Sequence, residues 1–82
     1  MSEGEVEIDT LGLLCPLPVL RLRKRLLGLA PGTLVRCLAD DPVALIDIPH
    51  FCAEAGHTHL SVEEDGGVQH HLIRRGEAPS DG

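Results

Sequence analysis

"LGLLCPLPVLRLRKRL", residues 11–26, decides how the chain is read. Cys15 is followed at once by Pro16, and Pro18 comes two residues later. A long aliphatic and basic run follows. Val19, Leu22, Leu26 and Leu29 recur at helical spacing, and Leu20 and Leu27 widen the apolar stripe. The pattern predicts a helix over residues 16–29, weakened at Gly28 and finished by Pro31-Gly32. With Pro16 at the first helical position, Cys15 becomes the N-cap. First-turn N–H groups and the positive end of the helix dipole then face its sulfur. Four of the seven Lys and Arg residues fall between Arg21 and Arg25. A thiol in such a setting is expected to favour its thiolate. Arg21, Arg23, Lys24 and Arg25 read as a solvated face, with Arg23 the odd member because it falls within the apolar arc.

Outward from this stretch, Glu5–Asp9 alternates polar and apolar residues and predicts a short strand. Thr33–Leu38 is short, apolar and β-branched, a second strand. "ADDP" (residues 39–42) reads as a helix start, with Asp41 as N-cap and Pro42 at the first helical position. That helix runs to about Ala55 and stops at Gly56. Pro49 inside it predicts a kink or a break, with Asp47 capping the second segment. "HTHLSVEE" (57–64) and "VQHHLIRR" (68–75) flank "DGG", a hairpin signal. Glu63, Glu64 and Asp65 read as an ordinary solvated turn.

The order is β-α-β-α-β-β. Right-handed crossovers place both helices on one face of a mixed four-stranded sheet, a two-layer α/β (α+β) sandwich. The other sheet face stays partly open, consistent with Arg36 inside a strand. One domain over residues 1–76 and a disordered tail over 77–82 are expected.

Composition narrows the function classes. The 82 residues are 43% hydrophobic but hold one Phe and no Trp or Tyr, so Leu, Val, Ile and Ala must build the core. The net charge of −6 opposes nucleic acid as a direct partner. No apolar stretch approaches the roughly 20 residues that span a bilayer, so no membrane partner is expected. The acidic start lacks the pattern of a signal peptide. With three cysteines, an odd number, reduced thiols in the cytoplasm are the simplest expectation.

Cys15 is the one candidate for chemistry. Its motif is not Cys-x-x-Cys, which disfavours a dithiol oxidoreductase working within it. Cys37 and Cys52 read as packed structural thiols. His57 and His59 would share a strand face, but His70 and His71 point to opposite faces, and the spacing matches no closed zinc pattern. The histidines are read as solvated strand residues, with no metal. No paired carboxylates, Ser-His-Asp set or phosphate-binding glycine loop can be assembled.

"LGLLCPLPVLRLRK" resembles the signature of the TusA/SirA-like sulfur carriers, in which Cys-Pro-x-Pro opens the first helix. The likeness continues through "PGTLV", "ADDP" and "DIPHFC" to "LIRRG", roughly Ile8 to Gly76. It implies a βαβαββ fold and a cytoplasmic carrier, monomeric when free, that holds sulfane sulfur as a persulfide on Cys15. Pro16 and Pro18 set the geometry of that site. A pyridoxal-phosphate cysteine desulfurase would load it and a downstream relay protein would accept the sulfur, most familiarly toward thiolation of tRNA wobble uridine. The carrier itself needs no cofactor. Family members in sulfur-oxidising bacteria work instead with rhodanese-like and DsrE-like proteins. Arg23 and Lys24 of the first helix, with the Asp40-Asp41-Pro42 corner, are the expected docking surface. Leu17 departs from the acidic residue often found between the prolines and makes the rim more apolar. Two other classes stay open: a Cys/His metal- or redox-sensing module, and an RNA-binding domain, since the fold resembles the C-terminal domain of a bacterial translation initiation factor. The acidic balance and lack of stacking aromatics oppose the latter.

Overall fold

The alternation of Glu5–Asp9 does make a strand, β1, and five further elements follow it in the computed structural model, which describes residues 5–77. They are α1 (Leu17–Leu27), β2 (Leu34–Ala39), α2 (Ala44–Ala55), β3 (Thr58–Asp65) and β4 (Val68–Arg74). The strands form one sheet in the order β1-β2-β4-β3. β1 and β2 are parallel, with Ile8 opposite Cys37. β4 lies antiparallel to both β2 and β3. The β3–β4 hairpin turns at Gly66 and Gly67, both at positive φ, where a Cβ would be costly.

Both helices cover the same face. Ile8, Val35, Cys37, Ala39 and Ile73 from the strands are buried together with Leu22 and Leu26 of α1 and Ala44, Ile48 and Cys52 of α2. Val6, Val19, Leu29 and Phe51 pack at the margin. The period-2 alternation of β2 shows the consequence: Val35, Cys37 and Ala39 are buried while Leu34, Arg36 and Leu38 between them are half-covered on the open face. There Arg36 meets Glu5 at 3.0 Å.

Several boundaries differ from the sequence reading. α1 begins at Leu17, with Pro16 as its cap, and ends at Leu27 with Gly28 as C-cap. Its apolar stripe is narrower than expected, because Leu20 and Leu27 are about half exposed. α2 begins at Ala44, two residues after Pro42, because Asp41 first closes a turn: its carboxylate accepts the Val43 N–H at 3.1 Å. Pro49 does not break α2, which is continuous through it. Ile48 and Cys52, buried on either side of that position, hold the turns to the core. Asp47 therefore sits in the first turn of a single helix instead of capping a second segment. Of the tail expected to be disordered, residues 78–82 lie outside the described residues, as do residues 1–4.

"LIRRG" closes the domain. The Arg75 guanidinium, nearly buried, donates from Nε to the Leu26 carbonyl at 2.9 Å, a cation at the C-terminal end of α1. Its backbone pairs with Thr33 and Gly32, both at 2.9 Å. Gly76 then donates its N–H to His57 Nδ1 at 2.8 Å. A Cβ at Gly76 would land on the carbonyl oxygen of Gly56, which is backbone and cannot swing away.

This contact sets a test of the fold. Gly76→Ala should cost about 1–3 kcal/mol by overpacking. Gly28→Ala, whose added methyl meets nothing closer than 3.7 Å, should cost far less. Urea denaturation of the two variants checks the difference.

Candidate functional site

Cys15 lies in the β1–α1 loop, at the carboxyl end of the parallel pair β1–β2, the edge at which open α/β sheets commonly bind ligands. The loop is tied in four places to β2, to the β2–α2 corner and to α2. The Thr10 N–H and hydroxyl both donate to the Leu38 carbonyl, at 2.9 and 2.5 Å. The Gly12 N–H reaches both carboxylate oxygens of Asp40 at 3.1 Å. The Cys15 N–H reaches Asp41 Oδ2 at 2.7 Å. Finally, the Cys15 thiol itself, exposed at the surface, lies 3.0 Å from Asp47 Oδ2.

This geometry corrects the electrostatic expectation. Cys15 is not the N-cap of α1; Pro16 is. Few first-turn N–H groups remain for the sulfur: Leu17 donates to Leu14 and Leu20 to Pro16, and Pro18 has none to give. The charged groups acting on the thiol are carboxylates. The hydrogen bond to Asp47 raises its pKa above the ordinary value, followed by partial desolvation and by the charges of Asp47 and Asp41. These surroundings favour the thiol of Cys15 over its thiolate.

The basic residues of α1 lie elsewhere. Arg21 donates to the Asp9 carbonyl at 3.2 Å, and Arg21, Lys24 and Arg25 line an open notch with Glu7 and Asp9 along the edge strand. Arg23 is exposed beside Leu20 and Leu27 on the outer face, so it neither snorkels into the core nor pairs with any described residue. Leu22 and Leu26 take the buried positions instead. The Asp40-Asp41-Pro42 corner also divides in two. Pro42 and Asp40 are exposed, but Asp41 is buried and spent on internal bonds, so it is scaffold and not docking surface.

Exposed apolar side chains flank the site. Leu14 (67%) and Leu17 (49%) bracket Cys15 in the chain, and Val43 and Ile46 (72%) stand on the first turn of α2 beside Asp47. Asp47 and Ile46 were missed as site residues. The contact of Asp47 with Cys15 spans 32 positions, and no local pattern announces it.

Behind the corner runs a polar chain through the core. Gln69 Nε2 donates to the Asp41 carbonyl at 2.8 Å, which leaves Gln69 Oε1 to accept from His71 Nε2, also at 2.8 Å. His71 Nδ1 is then an acceptor, 2.9 Å from His59 Nε2. Burial, then His59, pushes the His71 pKa down to about 4. Burial likewise lowers His57 and His59. The reading of the histidines as solvated is therefore overturned for these three, since His71 and His57 are buried and His59 is half-buried. His59 and His71 were legible as strand residues but not as helix-facing ones, and His57 sits just before β3. Among the described residues, no three His, Cys, Asp or Glu side chains gather as a metal site. Cys37 and Cys52 are buried as expected, which pushes their pKa values up to about 11 and about 12.

A family model described as Sulfurtransferase TusA matches residues 6–75. Among solved structures, a SirA-like protein from Desulfitobacterium hafniense is 35% identical, with a TM-score of 0.73 over 88% of this chain and 99% of its own.

Two measurements check the site. Brief iodoacetamide treatment of the native protein should label Cys15 alone, with Cys37 and Cys52 reacting only in denaturant; peptide mapping reads the outcome. For His71, the folded pKa lies below the unfolded value of 6.5, so the unfolded chain binds the proton more readily. Its contribution is complete above about pH 6.5 and is lost as pH falls toward about 4. The urea midpoint should therefore decline across that window, and the His71 ring should remain neutral by NMR at pH 5.

Proposed function

The chain belongs to the TusA sulfurtransferase family, and from that premise we propose that Cys15 accepts a sulfane sulfur atom as a persulfide and relays it to an acceptor protein. The observation that carries this reading is the contrast among the thiols: Cys15 is exposed while Cys37 and Cys52 are sealed in the core. A sulfur carrier needs one cysteine that two partners can reach in turn, and needs no second thiol beside it.

The donor in this reading is a cysteine desulfurase, whose own persulfide gives up its outer sulfur. The acceptor is a relay protein that leads toward 2-thiouridine in tRNA. The tRNA is not contacted directly, which suits a chain of net charge −6. Three free cysteines fit a reducing, cytoplasmic setting. Among the described residues, no helix is long and apolar enough to cross a membrane. Pro16 and Pro18 support the site by stiffening the first turn of α1, where the missing N–H groups break no helical bond.

The docking surface combines an apolar lip with flanking charge. Leu14, Leu17 and Ile46 are large, exposed and close to the reactive sulfur in the chain or through Asp47, the features of an interface centre. Asp40 and Pro42 at the corner form its rim, and the exposed Arg23 and Lys24 of α1 supply positive charge farther out. Rim charges act mainly on association rate.

Incubation with a cysteine desulfurase and cysteine should give a reducible mass gain of one sulfur atom on the wild-type chain and none on Cys15→Ser. Serine keeps an O–H donor for Asp47 and leaves the N–H bond to Asp41 in place, so stability should change by no more than about 0.5 kcal/mol. Intact-protein mass spectrometry decides. Sulfur on the serine variant, or none on the wild type, removes the carrier reading.

A further inference from the structure

Asp47 and Cys15 come from different elements, yet Asp47 Oδ2 and Cys15 Sγ stand 3.0 Å apart. Both sides of the contact are anchored. The Cys15 backbone is fixed by its 2.7 Å bond to Asp41, and Asp47 by the turn of α2 whose next residue, Ile48, is fully buried. Resting on the carrier reading above, we propose that Asp47 sets how strongly Cys15 holds sulfur: it stabilises the empty thiol and destabilises the loaded persulfide, so that sulfur leaves readily.

Loading converts Cys15–SH and a donor persulfide R–S–SH into Cys15–S–SH and R–SH. A bond forms between Sγ and the donor's outer sulfur, and the donor's S–S bond breaks with its electron pair going to the inner sulfur. The Cys15 proton ends on that inner sulfur. The transferred atom keeps its oxidation level, so no oxidant or reductant enters.

Asp47 acts oppositely on the two ends of this exchange. In the empty carrier its carboxylate accepts the S–H, a charge-assisted hydrogen bond. A persulfide is more acidic than its parent thiol, so the loaded Cys15–S–SH gives its proton to water and is an anion near neutral pH. It then lies beside a like charge and has no proton to offer. The other carboxylate acting on Cys15 is that of Asp41, from the β2–α2 corner, and it adds to the same effect. Of the cations on α1, Arg21 is bonded at Asp9, Lys24 and Arg25 line the notch with Glu7 and Asp9, and Arg23 is exposed on the outer face; none is among the charges acting on the thiol. The raised pKa of the Cys15 thiol is the counterpart of this arrangement in the unloaded protein.

The test separates this role from simple support of the fold. Wild type, Asp47→Asn and, as a control for net charge, Glu54→Gln are equilibrated with fixed ratios of glutathione persulfide to glutathione, and the loaded fraction is read by mass. Asp47→Asn should load about tenfold more tightly, and its Cys15 alkylation midpoint should fall by about one pH unit, as expected for loss of one close like charge. Glu54→Gln should match wild type. Protection of Cys37 and Cys52 from alkylation shows that each variant is folded, and Asp47→Ser serves if the asparagine disturbs α2. An unmoved midpoint, or loading no tighter than wild type, overturns the proposal. A wild-type protein that takes sulfur from neither glutathione persulfide nor the desulfurase overturns the carrier reading instead.

Discussion

Asp41 is buried at the corner between β2 and α2, and three parts of the chain meet on it. Its carboxylate accepts the N–H groups of Cys15 and Val43; its carbonyl accepts from Ala44 and from the amide of Gln69. A carboxylate taken out of water is costly unless such partners replace the lost hydration. Here they do, and the requirement works in both directions. The β1–α1 loop, the start of α2 and strand β4 are each held in place because Asp41 must be satisfied. The position of Cys15 is thus a by-product of solving a burial problem.

From that corner the domain divides its polar groups by task. Toward the core, Gln69, His71 and His59 form a chain with one consistent assignment of donors and acceptors, which keeps His71 neutral. Toward solvent, the same corner presents a thiol bonded to Asp47, with exposed aliphatic side chains on both sides. The interior needs every hydrogen-bonding group matched, whereas the surface leaves apolar area uncovered. A relay protein that must bind two partners in succession has use for the second condition and depends on the first for a fixed geometry.

The sequence was informative where the pattern is local. The alternation in β1 and β2, the glycines of the hairpin, the helical spacing of Leu22 and Leu26, and the burial of Cys37 and Cys52 could all be read from neighbours within a few residues. The Cys-Pro-x-Pro motif pointed to the exposed cysteine of the three. Its electrostatics were misread because the dominant charge comes from Asp47, 32 positions away, and not from the adjacent arginines. The histidines were misread for a related reason: polarity suggested solvent, but His71 lies opposite Cys37 and Val62 in the sheet and faces the helices. Pro49 misled in the other direction, since core packing outweighed a local breaker.

The order β1-β2-β4-β3 leaves two strands with an unpaired side. β1 carries Glu5, Glu7 and Asp9 in its five residues, and β3 ends in Glu63, Glu64 and Asp65. Open edges are templates for stacking one sheet on another, and like charges at such an edge oppose that pairing. Much of the chain's acidity therefore lies where two copies would otherwise zip together. Such a guard lets a domain of 8.8 kDa display bare leucines around its thiol without inviting aggregation through its sheet.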